Sequence, residues 1–284
     1  MKKMIDQDQP LLEALRLLYP DSSKTTLRSL LKEERIKVDG QTCKLGTLSL
    51  KKGQILEVVK KQNVIAEGVK ILYQDPHLAV VFKPSGLLSV ATDFEKNLTL
   101  HKILKEHFQP KTVEVVHRLD QDTSGVIVFA LDKQTCLKLK ILFEKHEIER
   151  CYTAIVEGKL TPRSGSWRSY LHEDENYVVH STDNARKGKL AITHYVVEGY
   201  SKKFTRLRLK LETGKKNQIR VHCSDAGHPI AGDTKYGASS NPGKRLMLHA
   251  DHLGFIHPVK RKKMQFTIDP PESFDKVVLK KRNP

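Results

Sequence analysis

Two apolar runs in the middle of the chain enclose one polar stretch. Residues 113–116 and 126–130 are rich in β-branched side chains, a pattern typical of buried strands. Residues 117–125 between them are polar, and their final Thr-Ser-Gly favours a turn. The pattern therefore predicts that Asp120 lies on a tight loop between two strands, where a rigid sheet can hold its carboxylate in one place.

The surroundings of Asp120 allow two interpretations. The loop is either an ordinary hairpin connection with solvated charges or a functional site. Arg118 lies two residues before the carboxylate, and Thr123 and Ser124 place hydroxyls three and four residues after it. These neighbours favour a site.

The chain after residue 68 has the pattern of many strands and few helices. An apolar run predicts a strand at 78–82, and alternation over 204–211 predicts a half-buried strand with a basic outer side. Asp132 is placed to cap a helix, and Gly227 ends a short helix predicted from residue 218. Many strands with few helices between them favour an α+β fold with a mixed, largely antiparallel sheet over a doubly wound sheet.

The first 62 residues have the pattern of a small separate α/β module. Leucines at helical spacing predict one helix over 11–18 and a second one capped near Ser23. Asp39 and Gly40 then predict a hairpin turn. Residues 60–68 are polar and predict a linker, so we expect one domain over residues 1–62 and a larger one over 68–284.

The charge of the chain indicates a polyanionic partner. Its formal net charge is +17, from 50 Lys and Arg against 33 Asp and Glu. Eight of the basic residues and a single acid lie within residues 200–223. Because each neutralised phosphate releases counterions, nucleic acid is the favoured partner. An anionic membrane surface is a weaker alternative, since the sequence has no amphipathic anchor.

Other features bear on location and cofactors. No apolar run approaches the roughly 20 residues that span a bilayer, and the amino terminus lacks the apolar stretch of a secretory signal. The four cysteines have no paired spacing for zinc or a redox dithiol. Histidines at 249, 252 and 257 suggest a metal centre only weakly, because no cysteine or carboxylate cluster completes a ligand set. We expect a cytoplasmic protein without metal or membrane association.

The polar stretch at residues 117–125, His-Arg-Leu-Asp-Gln-Asp-Thr-Ser-Gly, resembles the catalytic signature of the RluA-type pseudouridine synthases. Residues 149–158 resemble that family's tyrosine motif, and residues 211–222 resemble its arginine motif. Upstream of the loop, residues 75–86 with their Lys-Pro turn also match the family. Downstream of the arginine motif, three further motifs match in the family's order: Gly227-His228-Pro229-Ile230, Gly232-Asp233 and Tyr236-Gly237. The resemblance covers about residues 68–270, and ordered motifs at long spacings make it highly specific.

The resemblance implies an isomerase that breaks the uridine N-glycosidic bond, turns the uracil and rejoins it through carbon. This reaction oxidises nothing and consumes no energy, so no cofactor is expected. Asp120 would supply the catalytic carboxylate. Arg220 would be its counter-charge, and Tyr152 would offer a flat face on which the uracil stacks.

The resemblance also implies residues that bind the substrate. Ile219 would form an apolar wall opposite Tyr152, and Arg118 would fill the gap left by a flipped nucleotide. Three residues of the arginine motif are candidate RNA contacts: Lys215, Lys216 and Gln218. This motif often has the sequence Gly-Arg-Thr-His-Gln-Ile-Arg, whereas residues 214–220 are Gly-Lys-Lys-Asn-Gln-Ile-Arg. Lys and Arg contact phosphate with different geometry. The difference from the usual motif therefore affects the predicted RNA contacts and leaves the predicted catalytic residues unchanged.

Residues 10–60 resemble the RNA-binding module of small-subunit ribosomal protein S-four. Lys24, Arg28 and Arg35 are the candidate RNA contacts of this module. The alternative is a helical cap that only packs on the next domain. The partner implied is structured RNA, with ribosomal RNA favoured over transfer RNA, and we expect a monomer.

Two other functions remain open from the sequence. The first is a non-catalytic RNA-binding or ribosome-assembly protein on the same scaffold. Intact Asp120, Tyr152 and Arg220 disfavour it, because binding alone does not require these three residues. The second is a nuclease, which the lack of clustered carboxylates for holding metals disfavours.

Overall fold

The chain forms two compact units. In the computed structural model, residues 2–20, 22–32, 35–43, 45–59, 63–66, 68–92 and 98–278 are described. The first unit is Met1–Asn63 and the second is Val64–Pro284. The basic tail after residue 278 lies outside the described residues.

The described residues of the first unit form two helices and six short strands. In chain order these are β1 Lys2–Met4, β2 Gln9–Pro10, α1 Leu11–Leu18, α2 Lys24–Lys32, β3 Ile36–Val38, β4 Gln41–Thr42, β5 Ser49–Leu50 and β6 Ile55–Val58. Strands β1, β6, β3 and β4 form one sheet in that order, and β2 pairs with β5. Leucines of both helices pack with apolar residues of β3, β5 and β6 into one core.

Local signals of the first unit act as predicted. The Ser23 hydroxyl accepts a hydrogen bond from the Thr26 backbone N–H at 3.1 Å and so caps α2. Asp39 and Gly40 turn β3 into β4 with φ values of 50° and 82°. Two consecutive positive φ values match the right-handed twist of a hairpin, which explains the Asp-Gly pair.

The second unit is built on one large sheet. Its strands are β7 Asn63–Ala66, β8 Val69–Gln74, β9 Leu78–Lys83, β10 Glu114–Val115, β11 Ser124–Ala130, β12 Glu149–Glu157, β13 Ser164–Glu173, β14 Val179–Thr182, β15 Lys189–Tyr200, β16 Phe204–Leu211, β17 Leu248–Ile256 and β18 Lys263–Thr267. Its helices are α3 Leu100–His107, α4 Lys133–Glu144, α5 Gln218–Asp225 and α6 Glu272–Val278, with a 3-10 turn at Thr234–Tyr236.

The sheet is mixed and mostly antiparallel, which confirms the predicted α+β class. Among the described residues its order is β14-β13-β15-β16-β12-β17-β11-β9-β8-β7, with β10 beside β11 and β18 beside β17. Strands β11 and β17 pair in parallel for two residues, Ser124 with His249 and Gly125 with Ala250. Gly125 has φ 130°, and a Cβ there would lie 2.1 Å from the Ala250 carbonyl oxygen. Only glycine permits this close approach directly after the Asp120 loop.

Strand β11 is buried along its whole length. Val126 and Val128 pack into one apolar cluster with α4, while Ile127 and Phe129 pack into another. Burial on both faces explains why the sequence has a continuous apolar run here instead of alternation. The loop before β11 is therefore attached to one of the most enclosed strands of the second unit.

Two details differ from the sequence predictions. Residues 63–66 of the predicted linker form strand β7, because Val64 and Ile65 are apolar residues suited to a sheet. The apolar spacing after Asp132 predicts His146 on the apolar face of a helix. The helix ends at Glu144, and His146 follows it, exposed and with φ 58°.

Candidate active site

The Asp120 loop is held from one side by the turn that follows β9. The Ser89 hydroxyl donates to the Leu119 carbonyl at 2.7 Å and accepts from the Leu119 N–H at 3.1 Å. The Gly86 N–H donates to the Gln121 carbonyl at 3.0 Å. The residues on both sides of Asp120 thus have fixed backbone positions, which gives the carboxylate a defined location.

Lys83, the last residue of β9, is fully buried and holds that turn together. Its ammonium donates to the carbonyl oxygens of Pro84 at 2.9 Å, Leu87 at 2.6 Å and Gln121 at 2.7 Å. Three donors are available only to the protonated amine. Burial lowers the pKa of Lys83 to about 7, while the charges of Asp122 and Asp120 act in the opposite direction. Lys83 is the lysine of the Lys-Pro turn in residues 75–86, and nothing in the sequence predicts this role for it.

Arg220 is brought next to Asp120 from 100 residues along the chain. Its Nη1 lies 3.9 Å from Asp120 Oδ2. Its closer partner is Asp233, to which Nε and Nη2 donate two hydrogen bonds of 2.7 Å each. The Asp233 side chain is 1% exposed, so this fork-like pair holds the guanidinium in one orientation at the base of the site.

Two further residues fix Arg220. The Asn217 side-chain oxygen accepts from Arg220 Nη1 at 3.3 Å, and its amide donates to the Tyr236 hydroxyl at 2.9 Å. The Tyr236 ring lies 4.9 Å from the guanidinium carbon. Asn217, Asp233 and Tyr236 were missed as site residues. All three lie in motifs of the family resemblance, but no sequence signal shows that they converge on Arg220.

The charges around Asp120 oppose each other. Burial raises the pKa of the Asp120 carboxyl, and Asp233 adds to the rise. The cations of Arg220, Arg118 and Lys83 act to lower it. With 24% of its side chain exposed, Asp120 is open to a ligand while being surrounded mainly by positive charge.

Tyr152 and Ile219 are the two buried residues predicted to hold the uracil. Tyr152 is 8% exposed and belongs to the main apolar cluster, as does Ile219. Burial raises the pKa of Tyr152 to about 12, and the charge of Asp120 contributes to the rise. The hydroxyl is therefore protonated at neutral pH. The structure places Arg220 Nη1 3.9 Å from Asp120 and Tyr152 within range of the charge of Asp120, and Ile219 lies buried next to Arg220 on α5.

A comparison with known protein families identifies the chain. The model of the RNA pseudouridylate synthase family matches residues 77–225, which include the Asp120 loop, Tyr152 and Arg220. The chain belongs to this family. The synthase is 31% identical over 297 residues to ribosomal large subunit pseudouridine synthase D of Haemophilus influenzae, covering 94% of this chain and 89% of the relative. The RluA-type assignment is thereby confirmed.

Other relatives agree. The synthase is 34% identical over 250 residues to an uncharacterized RNA pseudouridine synthase of Bacillus subtilis, covering 84% of this chain and 82% of that protein. Among solved structures it resembles human RNA pseudouridylate synthase domain containing 1, with a TM-score of 0.60 and 26% identity over 75% of this chain and 88% of that chain.

The remaining predicted contacts of the synthase differ in accessibility. Arg118 is exposed, and Lys215 is half-buried. The Lys216 ammonium forms an ion pair with Glu173 and lies 5.8 Å from the Tyr177 ring centre. Lys24 and Arg28 are exposed on α2, whereas Arg35 donates from Nε to the Val59 carbonyl at 3.0 Å and is half-buried.

Gln218 is a predicted RNA contact whose side chain is not accessible to RNA. It is 2% exposed. Its amide nitrogen donates to the Ile192 carbonyl and the Thr193 hydroxyl, each at 2.9 Å. Its oxygen accepts from the Thr213 hydroxyl and the Lys215 N–H. Both amide protons are used inside the protein, so Gln218 joins the start of α5 to β15 rather than binding RNA.

Two further findings concern metals and membranes. Within the described ranges, no group of three or more His, Cys, Asp or Glu is arranged to hold a metal ion. In the same part of the chain, no helix combines the length and apolar character needed to cross a membrane.

Proposed function

We propose that this protein isomerises specific uridines of structured RNA to pseudouridine, with Asp120 as the catalytic carboxylate and ribosomal RNA as the substrate. Membership of the pseudouridylate synthase family supports the reaction. The observation that carries the assignment to Asp120 is its half-buried carboxylate, held on a fixed loop and facing Arg220 at 3.9 Å. Ribosomal RNA is supported by relatives named as large-subunit enzymes and by the net charge of +17.

Asp120 must be ionised to attack the nucleotide. Burial alone would favour the protonated acid, and the three neighbouring cations counteract that effect. Asp233 keeps the Arg220 guanidinium oriented, so that Arg220 acts on Asp120 mainly through its charge. No metal or cofactor is part of this proposal.

Tyr152 and Ile219 would hold the uracil during the reaction. A buried aromatic ring beside the carboxylate offers a stacking face, and the protonated hydroxyl adds a hydrogen-bond donor. Arg118, exposed on the same loop, would occupy the gap left by the flipped nucleotide. Lys215 and Lys216 would contact phosphates, and the first unit would bind RNA through Lys24 and Arg28. Arg35 would add a contact from its half-buried position.

The test uses RNA labelled with tritium at uracil C5. The wild-type protein should release tritium, because C5 loses its hydrogen when it bonds to the ribose. Asp120→Asn keeps the shape and removes the negative charge, so it should bind RNA with no detectable release. Asp122→Asn, on the same loop but exposed, is the matched control and should retain turnover.

Two outcomes would count against the proposal. Substantial turnover by Asp120→Asn would exclude that residue as the catalytic carboxylate. Tight RNA binding by the wild-type protein with no tritium release from any cellular RNA would favour the non-catalytic alternative.

A further inference from the structure

Arg150 is a buried cation for which the described structure provides no anion. It precedes Tyr152 by two residues on β12 and is 8% exposed. Within the described residues its guanidinium makes no hydrogen bond, it has no carboxylate within 4 Å, and its Nε is fully enclosed. Arginine stays protonated at neutral pH even when burial lowers its pKa, as it does here. A buried, unpaired charge is costly unless a ligand uses it.

Arg150 lies near two residues of the proposed site. It precedes by one residue the stretch of β12 that pairs with β16, and its charge acts to lower the pKa of Tyr152, two residues further along β12. The guanidinium carbon lies 5.4 Å from the Phe143 ring centre. That ring packs at 4.6 Å against His117, the first residue of the Asp120 loop. The Phe143 ring thus lies between Arg150 and the first residue of the catalytic loop.

Gly214 leaves the space that the guanidinium occupies. A Cβ at Gly214 would lie 2.2 Å from Arg150 Nη1. Gly214 begins the segment that contains Lys215 and leads to Arg220. The arginine motif therefore has no side chain at the point where it passes Arg150, and Nη1 lies against the motif's backbone.

The depth of Arg150 favours a base over a phosphate as its ligand. A phosphodiester is strongly hydrated and is usually bound by basic side chains near the protein surface. A flipped uracil is neutral and would enter the buried part of the site beside Tyr152. There its O2 and O4 atoms would be the acceptors within reach of a buried guanidinium.

We propose that Arg150 donates hydrogen bonds to a carbonyl oxygen of the target uracil and stabilises the negative charge that the ring carries after the glycosidic bond breaks. This inference rests on the proposed function. Cleavage of the N1–C1′ bond leaves the electron pair on uracil, shared by N1, O2 and O4. The C5–C1′ bond then forms, C5 loses its proton and N1 takes one up. A fixed cation beside that charge lowers the barrier to its formation.

The experiment measures single-turnover rates at saturating enzyme on C5-tritiated RNA. Arg150→Met should lower the rate by ~100-fold, similar to the loss of one oxyanion donor, and should change RNA affinity by less than ~3-fold, since no phosphate contact is lost. Arg150→Lys keeps the charge and should recover part of the rate. Gly214→Ala should also lower it, because the added methyl displaces the guanidinium. Arg206→Met, a half-buried arginine of β16 paired with Glu198, is the control.

A second measurement compares uridine with a substrate of different electronic properties. If the role of Arg150 were purely structural, the rate deficit of Arg150→Met would be the same for both substrates. Fluorine at C5 withdraws electrons and stabilises the detached uracil anion without the enzyme. The rate deficit of Arg150→Met for consumption of 5-fluorouridine should therefore be smaller than for uridine. An equal deficit with both substrates would contradict the electrostatic role.

The remaining outcomes separate this inference from the proposed function. A wild-type protein without tritium release refutes the proposed function itself. An active wild type with an equally fast Arg150→Met refutes only the role of Arg150. Weaker binding with a shallower salt dependence and a normal saturating rate would identify a phosphate contact and overturn the inference.

Discussion

Arg220 is shared unequally between two carboxylates at the centre of the site. It forms two short hydrogen bonds with Asp233 and lies 3.9 Å from Asp120. Removing Arg220 therefore has two consequences. It takes a positive charge from Asp120, and it leaves the buried Asp233 without its partner, which is strongly destabilising in a protein interior. The two effects require different variants to separate them.

Arg220→Met is expected to reduce single-turnover rates by at least ~100-fold, equivalent to ~2.7 kcal/mol of transition-state stabilisation. The reason is that Asp120 would then favour the protonated form. The double variant with Asp233→Asn removes the unpaired charge and should recover thermal stability. Turnover should stay low in the double variant. Recovery of turnover together with stability would show that Arg220 matters only for folding.

Asp120 itself should reduce the stability of the folded protein. Its pKa is raised on folding, mainly by burial, so the folded state holds the proton more tightly than the unfolded state. Stability contributed by such a group falls as pH rises through the unfolded and then the folded pKa. Asp120→Asn should therefore melt at a higher temperature than wild type at pH 7. The difference should shrink below about pH 4, where both states are protonated. A lower melting temperature at pH 7 would contradict the raised pKa.

At the scale of elements, the turn after β9 and the Asp120 loop behave as one assembly. Lys83 donates to carbonyls of its own turn and to Gln121, directly after the carboxylate. Gly86, Ser85 and Ser89 add hydrogen bonds between the same two segments. The position of the carboxylate therefore depends on a segment about 35 residues earlier in the chain.

Lys83→Met should disturb both stability and catalysis. The variant fills a similar volume but leaves three carbonyls without a donor, and an unsatisfied buried group costs about 1–3 kcal/mol. We expect a loss of stability of ~2–4 kcal/mol and a fall in turnover, measured by thermal unfolding and tritium release. Lys105→Met on α3, where the side chain is exposed, is the control and should match wild type. A fully active, stable Lys83→Met would show that the loop is positioned without this ammonium.

The local elements were predictable, whereas the contacts between them were not. Caps such as Ser23 and Asp132 act within a few residues, apolar runs mark β9 and β11, and apolar alternation marks β16, so the sequence carries these signals directly. The Arg220–Asp233 pair depends on how the turn after α5 folds back, and Lys83–Gln121 joins distant segments. Gln218 illustrates the difference: its motif position suggested RNA, but its neighbours Ile192 and Thr193 come from β15.

At the scale of the whole molecule, the two units carry the positive charge unevenly. Residues 1–60 contain twelve Lys and Arg against eight Asp and Glu. Most of the net charge of +17 therefore lies in the larger unit. Binding of phosphates should be correspondingly divided, with the catalytic unit making most contacts and the first unit adding a few from α2.

Deleting residues 1–60 should weaken RNA binding without unfolding the catalytic unit. The cut spares β7, which begins at Asn63 and belongs to the large sheet. If Lys24, Arg28 and Arg35 each contact one phosphate, the slope of log affinity against log salt should become shallower by about 3, because each contact contributes about 0.9. The full-length triple variant Lys24→Gln, Arg28→Gln, Arg35→Gln is the matched comparison and should reproduce that change in slope. Single-turnover rates at saturating enzyme should remain near wild type in both proteins, since the Asp120 site is intact. Affinity and salt dependence equal to those of the full chain would instead show that the first unit is a structural cap.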